Sequence, residues 1–283
     1  RSAAARPTRV PEADALLPWS QQIAVREQWL VQRHAMLLPM MRRHGIGMWI
    51  VVNEEFHDDP LVHAIAPPRP YTGNRDFFVF IDAGDQGLKK FAITGYTEEN
   101  LAPFTEPRPP AATLRDLYQQ YKPATVGLGI RGTRGQTRTL GYDSYRFLAE
   151  TLGPEAEKTF MSAGELVQEY LDTRLPEEME HYRTAVTVTE AIVRRALSNA
   201  VITPGVTTVG DVRRALFDML WAAGVRTWFQ PDLRVQRATG DVATSRGFLA
   251  VAPEGTVIQR GDVVHIDFGI SYMGFDTDWQ KMA

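Results

Sequence analysis

The chain has 283 residues, 44% of them hydrophobic, enough to bury one large core or two ordinary ones. Its 31 basic and 34 acidic residues leave a formal charge of −3, a balance that argues against nucleic acid or an anionic membrane surface as a partner. Cysteine is absent, which excludes disulfides, thiolate zinc sites and a cysteine nucleophile, and the longest apolar runs, such as Met48-Trp-Ile-Val-Val52, are too short to span a bilayer.

Residues 1–19 are rich in Pro and Ala and read as a flexible arm. Within them, Ser2-Ala-Ala-Ala-Arg6 reads as a signal-cleavage remnant or as a disordered tail. The tail, with a cytoplasmic rather than periplasmic or secreted location, is weighed slightly ahead. Ser20 is placed to cap a helix that runs to His44 and stops at Gly45, with a kink or break expected at Pro39. Gly47 to Val52 reads as a buried strand. Asn53 to Arg75 reads as a solvated polar loop, although His57, Asp58, Asp59 and His63 are metal-ligating types.

Asp76 to Asp82 and Lys90 to Thr94 read as paired strands, Thr113 to Tyr121 as a helix and Val126 to Ile130 as a strand. Tyr142 to Leu152 and Gly164 to Leu175 read as helices. This alternation predicts an α/β domain over residues 20–174. Gly127-Leu-Gly-Ile-Arg-Gly132 matches G-x-G-x-x-G, but a dinucleotide site needs a helix opening within the motif, and Thr133-Arg-Gly-Gln-Thr-Arg138 is a poor helix start. Arg131, Arg134 and Arg138 read as a solvated basic loop.

Leu175-Pro176-Glu177-Glu178 marks a domain boundary and opens a helix to about Ala200, with Val186, Ile192, Val193, Ala196 and Leu197 inward. After the break at Thr203-Pro-Gly205, Thr207 or Thr208 caps a second helix with Asp211 in its first turn. That helix turns Val212, Leu216, Met219 and Leu220 inward and ends at Gly224. Strands follow at Arg226–Phe229, Leu233–Gln236 and Phe248–Ala252, then a final hairpin. Two helices followed by an antiparallel sheet make an α+β layer over residues 175–283.

The hairpin lies in Gly261 to Ala283. Val263-Val-His-Ile266 is the apolar run of a covered strand, and Asp267 sits at its end, where an unpaired carboxylate is costly. Tyr272, Met273 and Gly274 supply the turn. With Tyr272 and Met273 as the loop, Asp267 and Asp278 face each other directly, with Cβ atoms about 4.5–5.5 Å apart. That spacing suits carboxylates bridging two divalent ions. With Gly274 included as a third loop residue, the register slips by one and the two Asp point to opposite faces unless a bulge restores them. His265 shares a strand face with Asp267 by alternation and reads as a satisfied core histidine or as a partner to a ligand.

Asp267-Phe-Gly, Asp278 eleven positions on, and the preceding Gln259-Arg-Gly-Asp262 resemble the first metal-binding segment of the creatinase, aminopeptidase P, prolidase and methionine aminopeptidase superfamily. Thr203-Pro-Gly-Val-Thr-Thr-Val-Gly-Asp211 resembles the link between the first two helices of that family's catalytic domain. The likeness covers roughly Pro176 to Ala283, with a looser likeness before it to the family's N-terminal domain. It implies an α/β, creatinase-like N-terminal domain followed by the first half of an α+β pita-bread catalytic domain. It implies two divalent ions (manganese, cobalt or zinc) held by two Asp, one His and two Glu, with Asp267 and Asp278 as the two Asp. The His and both Glu would lie beyond Ala283, so the expectation is a part of a longer protein. The alternative is a protein that ends there without metal chemistry.

The implied activity is metal-dependent hydrolysis of short peptides, of the Xaa-Pro aminopeptidase or dipeptidase type, by a homodimer. A missing Glu would act as the base, so no catalytic residue is assigned here. Two alternatives are a non-catalytic binding protein on the same fold and a creatinase-type hydrolase that needs no metal. The family's peptidases usually carry a His shortly before the first Asp; here none lies between His181 and His265. Arg237 and Arg246 fall in that window and could contact substrate instead.

Overall fold

The computed structural model describes residues 8–68, 72–95, 99–102, 109–239 and 251–283. The chain divides into two compact units, Ser20–Leu175 and Pro176–Ala283, with the residues up to Trp19 grouped with the second.

In the first unit, α1 (Trp19–Arg43) leads into β1 (Met48–Glu54), a four-residue helix α2 (Val62–Ile65), and the hairpin β2 (Arg75–Asp82) and β3 (Leu88–Ile93). Then come α3 (Pro110–Tyr121), β4 (Val126–Leu128), α4 (Tyr142–Leu152), α5 (Pro154–Glu157), β5 (Phe160–Ser162) and α6 (Gly164–Asp172). The strands form one sheet in the order β3-β2-β1-β4-β5, antiparallel among β1, β2 and β3 and parallel from β1 to β4 to β5. Both faces are covered, which explains the uninterrupted apolar runs of β1 and β2. Trp49, Val51, Phe78 and Phe80 pack with Leu37, Met41 and Tyr170 on one side. Met48, Ile50, Val52, Phe77 and Val79 pack with Leu114, Leu117 and Leu148 on the other.

α1 runs unbroken through Pro39 rather than splitting in two. The G-x-G-x-x-G stretch opens no helix: a 3-10 turn at Gly135–Thr137 follows it. Its glycines answer a different need, since a Cβ on Gly132 would lie 2.0 Å from Thr137 Oγ1 and one on Gly129 would lie 2.7 Å from Thr139 Oγ1. The polar loop after β1 is wired rather than wholly solvated, because Asp59 is buried. Asn53 Oδ1 accepts the Asp59 N–H at 2.6 Å, and Asp59 accepts the Leu61 N–H at 2.9 Å and the Thr139 hydroxyl at 2.5 Å. Burial raises the Asp59 carboxyl, against the lowering effect of those bonds.

In the second unit, α7 (Pro176–Ala196) and α8 (Val209–Ala223) precede β6 (Asp232–Gln236), β7 (Val263–Phe268), β8 (Ser271–Tyr272), β9 (Phe275–Asp276) and β10 (Trp279–Met282). α7 stops at Ala196, short of Ala200, as Ser198 turns its N–H and its hydroxyl onto the Arg195 carbonyl. Its buried stripe is Ala185, Val188, Thr189, Ile192, Val193 and Ala196; Val186 and Leu197 lie at its flanks. Thr208 caps α8 in a reciprocal box with Asp211, whose carboxyl these bonds depress to about 2, and Gly224 closes the helix in the left-handed region. The expected strand at Arg226–Phe229 is replaced by an irregular turn in which the Thr227 hydroxyl donates to Phe229 O and the Trp228 indole N–H donates to Thr277 O at 2.8 Å. Phe248–Ala252 falls largely outside the described residues.

Part of the 1–19 stretch is in contact with the second unit. Pro11–Ala15 forms a 3-10 turn packed on α7, Val10 is buried, and the Leu17 N–H donates to Tyr272 Oη at 2.8 Å. Among the described residues no helix is long and apolar enough to cross a membrane.

His34 gives this fold a pH signature. It is buried edge-on to Phe80, with Nε2 donating to Ile65 O at 2.8 Å and Nδ1 accepting from Lys90 Nζ at 3.2 Å. Burial, then the Lys90 charge, lower it from 6.5 to about 4, against the raising effect of the Ile65 carbonyl. A depressed histidine contributes stability that is complete above the unfolded value and lost as pH falls through the folded one. The unfolding free energy from urea titrations should therefore drop between pH 6.5 and pH 4 by about 2–3 kcal/mol in wild type. His34→Gln, less stable at neutral pH, should show a clearly smaller drop over that window.

Candidate functional site

Three antiparallel strands in the order β10-β7-β6 carry the site. Val264, Ile266 and Phe268 of β7 and Leu233 and Val235 of β6 are buried. Strict alternation turns His265 and Asp267 to the other face.

The hairpin register differs from both expected alternatives. Tyr272 pairs with Phe275, Ser271 with Asp276, Phe268 with Trp279 and Asp267 with Gln280. The loop is Met273-Gly274, with φ of 53° and 84°. A two-residue turn with both central residues left-handed matches the twist of the flanking strands, and Gly274 accepts that backbone without strain. Asp278 therefore falls across from Gly269, not Asp267. A slip of two residues preserves the face, so the two carboxylates share one side as diagonal neighbours, with Cα atoms about 7–8 Å apart.

Thr277 locks this register. It is buried, its N–H donates to Ile270 O at 2.9 Å, its hydroxyl accepts the Ile270 N–H at 2.9 Å, and it meets Thr189 of α7 at 2.7 Å. Gly269 is required beside it, because a Cβ there would lie 1.9 Å from Thr277 O and 2.6 Å from the Trp228 indole nitrogen.

The polar face holds more than the two expected acids. Asp232 on β6 lies directly opposite Asp267, and Gln280 lies opposite it on the other side. Gln280 donates to Asp267 Oδ2 at 3.2 Å and accepts from His265 Nε2 at 3.1 Å, leaving the buried Nδ1 without a partner. Arg234 donates to Asp232 Oδ2 at 2.6 Å, while Asp232 Oδ1 is buried and unpaired. Burial first, then the charges of Asp278 and Asp232, hold the Asp267 carboxyl above its ordinary value; Arg234 and His265 act the other way. A cleft of about 340 Å³ opens beside Asp232 and Asp267, lined also by Arg213, Phe229, Pro231 and Val251.

Of the remaining candidates, Arg237 is engaged as a brace. Its fork pairs with Asp262, whose side chain is 1% exposed, at 2.7 Å through both nitrogens, and also reaches Val257 O. Arg246 lies outside the described residues. Asp232 was not singled out from the sequence; its signal was an acid at the mouth of a strand, directly after Pro231. Oxygen donors on one face suit a hard divalent cation, and Asp267 and Asp278 would hold it from one side. They supply only part of a donor set. Among the described residues no three His, Asp or Glu side chains are gathered so as to hold a metal ion.

No protein-family model matches this chain, and no curated protein matches it. Solved structures do. An Xaa-Pro dipeptidase from Bacillus anthracis matches 89% of this chain over 64% of its own, with a TM-score of 0.64 and 18% identity. An X-Pro aminopeptidase from Thermotoga maritima matches 87% of this chain over 64% of its own, at 0.61 and 16%. Aminopeptidase P from E. coli matches 90% of this chain over 62% of its own, at 0.64 and 15%. The chain shares their fold. At such identities the likeness is one of fold, and the chain spans about 64% of the length of the first two.

Two outcomes follow from the site's construction. Gly269→Ala should cost several kcal/mol, on the order of 3, and lower the melting temperature sharply, because Thr277 O is main chain and cannot turn aside. Asp267 has a raised folded value, so its contribution to stability is present below the ordinary carboxylate range and is lost as pH rises through the raised value. Without divalent ions, Asp267→Asn should therefore melt about 1–3 °C above wild type at pH 7, with the gap closing at pH 3.

Proposed function

We propose that this chain comprises a creatinase-like N-terminal domain and the first half of the catalytic domain of a metal-dependent hydrolase that cleaves short peptides at Xaa-Pro bonds. The observation that carries the reading is the pair Asp267 and Asp278 on one polar face of a hairpin, within a fold shared with Xaa-Pro dipeptidase and aminopeptidase P.

In this reading Asp267 and Asp278 are metal ligands. Divalent ions at such a site would lower the pKa of a bound water and polarise a carbonyl. Gln280 holds Asp267 Oδ2 by its amide N–H, which aims the carboxylate along the face. The turn at Met273-Gly274 and the Thr277 lock fix the offset between the two acids. Phe229, Pro231 and Val251 give the cleft apolar walls.

The test is a metal analysis of the full-length protein joined to an assay on Ala-Pro and Ala-Pro-Ala. Manganese, cobalt or zinc should copurify or restore activity after chelation. Asp267→Asn and Asp278→Asn should each lower kcat/KM by at least about a hundredfold. Hydrolysis that survives exhaustive chelation, or either variant retaining the wild-type rate, would sink the reading.

A further inference from the structure

His265 is the side chain of the polar face whose place the metal chemistry leaves unexplained. Alternation sends it outward from β7 beside Asp267, away from the packed Val264 and Ile266. Its cross-strand neighbours are Arg234 on β6 and Met282 on β10. Arg234 is turned to Asp232, and Met282 has only a thioether to offer. The hydrogen bond that His265 does make runs diagonally, from Nε2 to Gln280 Oε1 at 3.1 Å. Gln280 lies opposite Asp267, so the three side chains share one face at spacings that long side chains can bridge.

Gln280 could present either end of its amide to Asp267. An ionised carboxylate only accepts, so the carbonyl end would set two acceptors against each other. In the structure the Nε2 of Gln280 donates to Asp267 Oδ2 at 3.2 Å while its Oε1 faces His265. An amide oxygen cannot donate, so the proton of His265 sits on Nε2 and leaves Nδ1 bare. His265 thereby selects the amide orientation that Asp267 needs. The two acids are held unequally. The Gln280 amide gives the Asp267 carboxylate the one hydrogen bond it receives among the described residues, and Asp278 is exposed and receives none. Such orientation as the acids have in advance of a ligand therefore comes through Gln280.

We propose that His265 is a positioning residue for this site: by donating to Gln280 it sets which way that amide faces, and through it the aim of the Asp267 carboxylate, without touching a bound ion itself. This rests on the metal-dependent reading above and adds to it a relay from His265 to Gln280 to Asp267 that crosses from β7 to β10 and back.

The experiment titrates the chelated full-length protein with manganese, reading Kd by calorimetry, and with cobalt, reading the visible absorption of the bound ion. His265→Leu should raise the manganese Kd about tenfold and shift the cobalt spectrum. Gln280→Met should do at least as much. The double variant should bind no more weakly than Gln280→Met alone, because His265 acts only through that amide. His265→Gln, which keeps an N–H donor, should return Kd to within about threefold of wild type. An unchanged Kd in His265→Leu, additive losses in the double variant, which would make His265 a ligand or a brace of the fold, or a His265→Gln as weak as His265→Leu would each overturn the proposal. Should His265→Leu fail to fold, the exposed Gln280→Met carries the test alone, and an unchanged Kd there rejects the relay. A rejected relay in a protein that still binds either ion leaves the hydrolase reading standing. Wild type that binds neither ion fails that reading itself, and the relay falls with it.

Discussion

The constraint on which the C-terminal unit depends is the left-handed backbone of two residues, Met273 and Gly274. A turn of that hand sets which residue of β7 meets which residue of β10, and so which side chains share a face. Every contact outward from the turn agrees with it: Tyr272 with Phe275, Thr277 with Ile270, Trp279 with Phe268. Thr277 and Gly269 then make the register expensive to change, one by filling both hydrogen-bonding sites of Ile270 and the other by leaving no space beside it.

The sheet has one stable face and one chemical face. Leu233, Ile266 and Phe268 supply burial, and each inward position removes roughly 1.5–3 kcal/mol of apolar exposure. The opposite face gathers Asp232, Asp267 and Asp278, whose mutual repulsion is only partly answered by Arg234 and His265. Gln280, neutral and amphoteric in hydrogen bonding, sits where a fourth charge would have worsened the imbalance. The buried face holds the chain in a conformation that the polar face, taken alone, disfavours. Such local conflict is a usual mark of a binding site.

Much of this was legible in the sequence. The α8 cap at Thr208 and stop at Gly224 follow from local side-chain chemistry, as does the helix over Tyr142–Leu152. Phe160–Ser162 was not legible, since a three-residue parallel strand carries almost no pattern and is defined by pairing with β4. The stripe of α7 was displaced around the helix, because Thr189 is buried through its hydroxyl contacts with Ala185 O and Thr277, which a hydrophobic pattern does not register. At the hairpin, the register followed neither expected alternative, since Asp267 pairs with Gln280. Tyr272-Met273 and Met273-Gly274 are separated by one residue along the chain, and only the second puts Gly where the mirror-image turn needs it. Asp232 escaped notice because its role depends on a strand pairing across thirty-five positions.

The hydroxyl of Tyr272 receives the Leu17 amide, so the far end of the acidic hairpin is stitched to a stretch more than two hundred and fifty positions earlier in the chain. Trimming the chain at Pro176 would sever that stitch and strip the Pro11–Ala15 3-10 turn from α7. A C-terminal unit cut at that boundary would thus inherit a loosened turn, and a shortened segment carrying Pro11–Leu17 grafted ahead of Pro176 is the economical remedy.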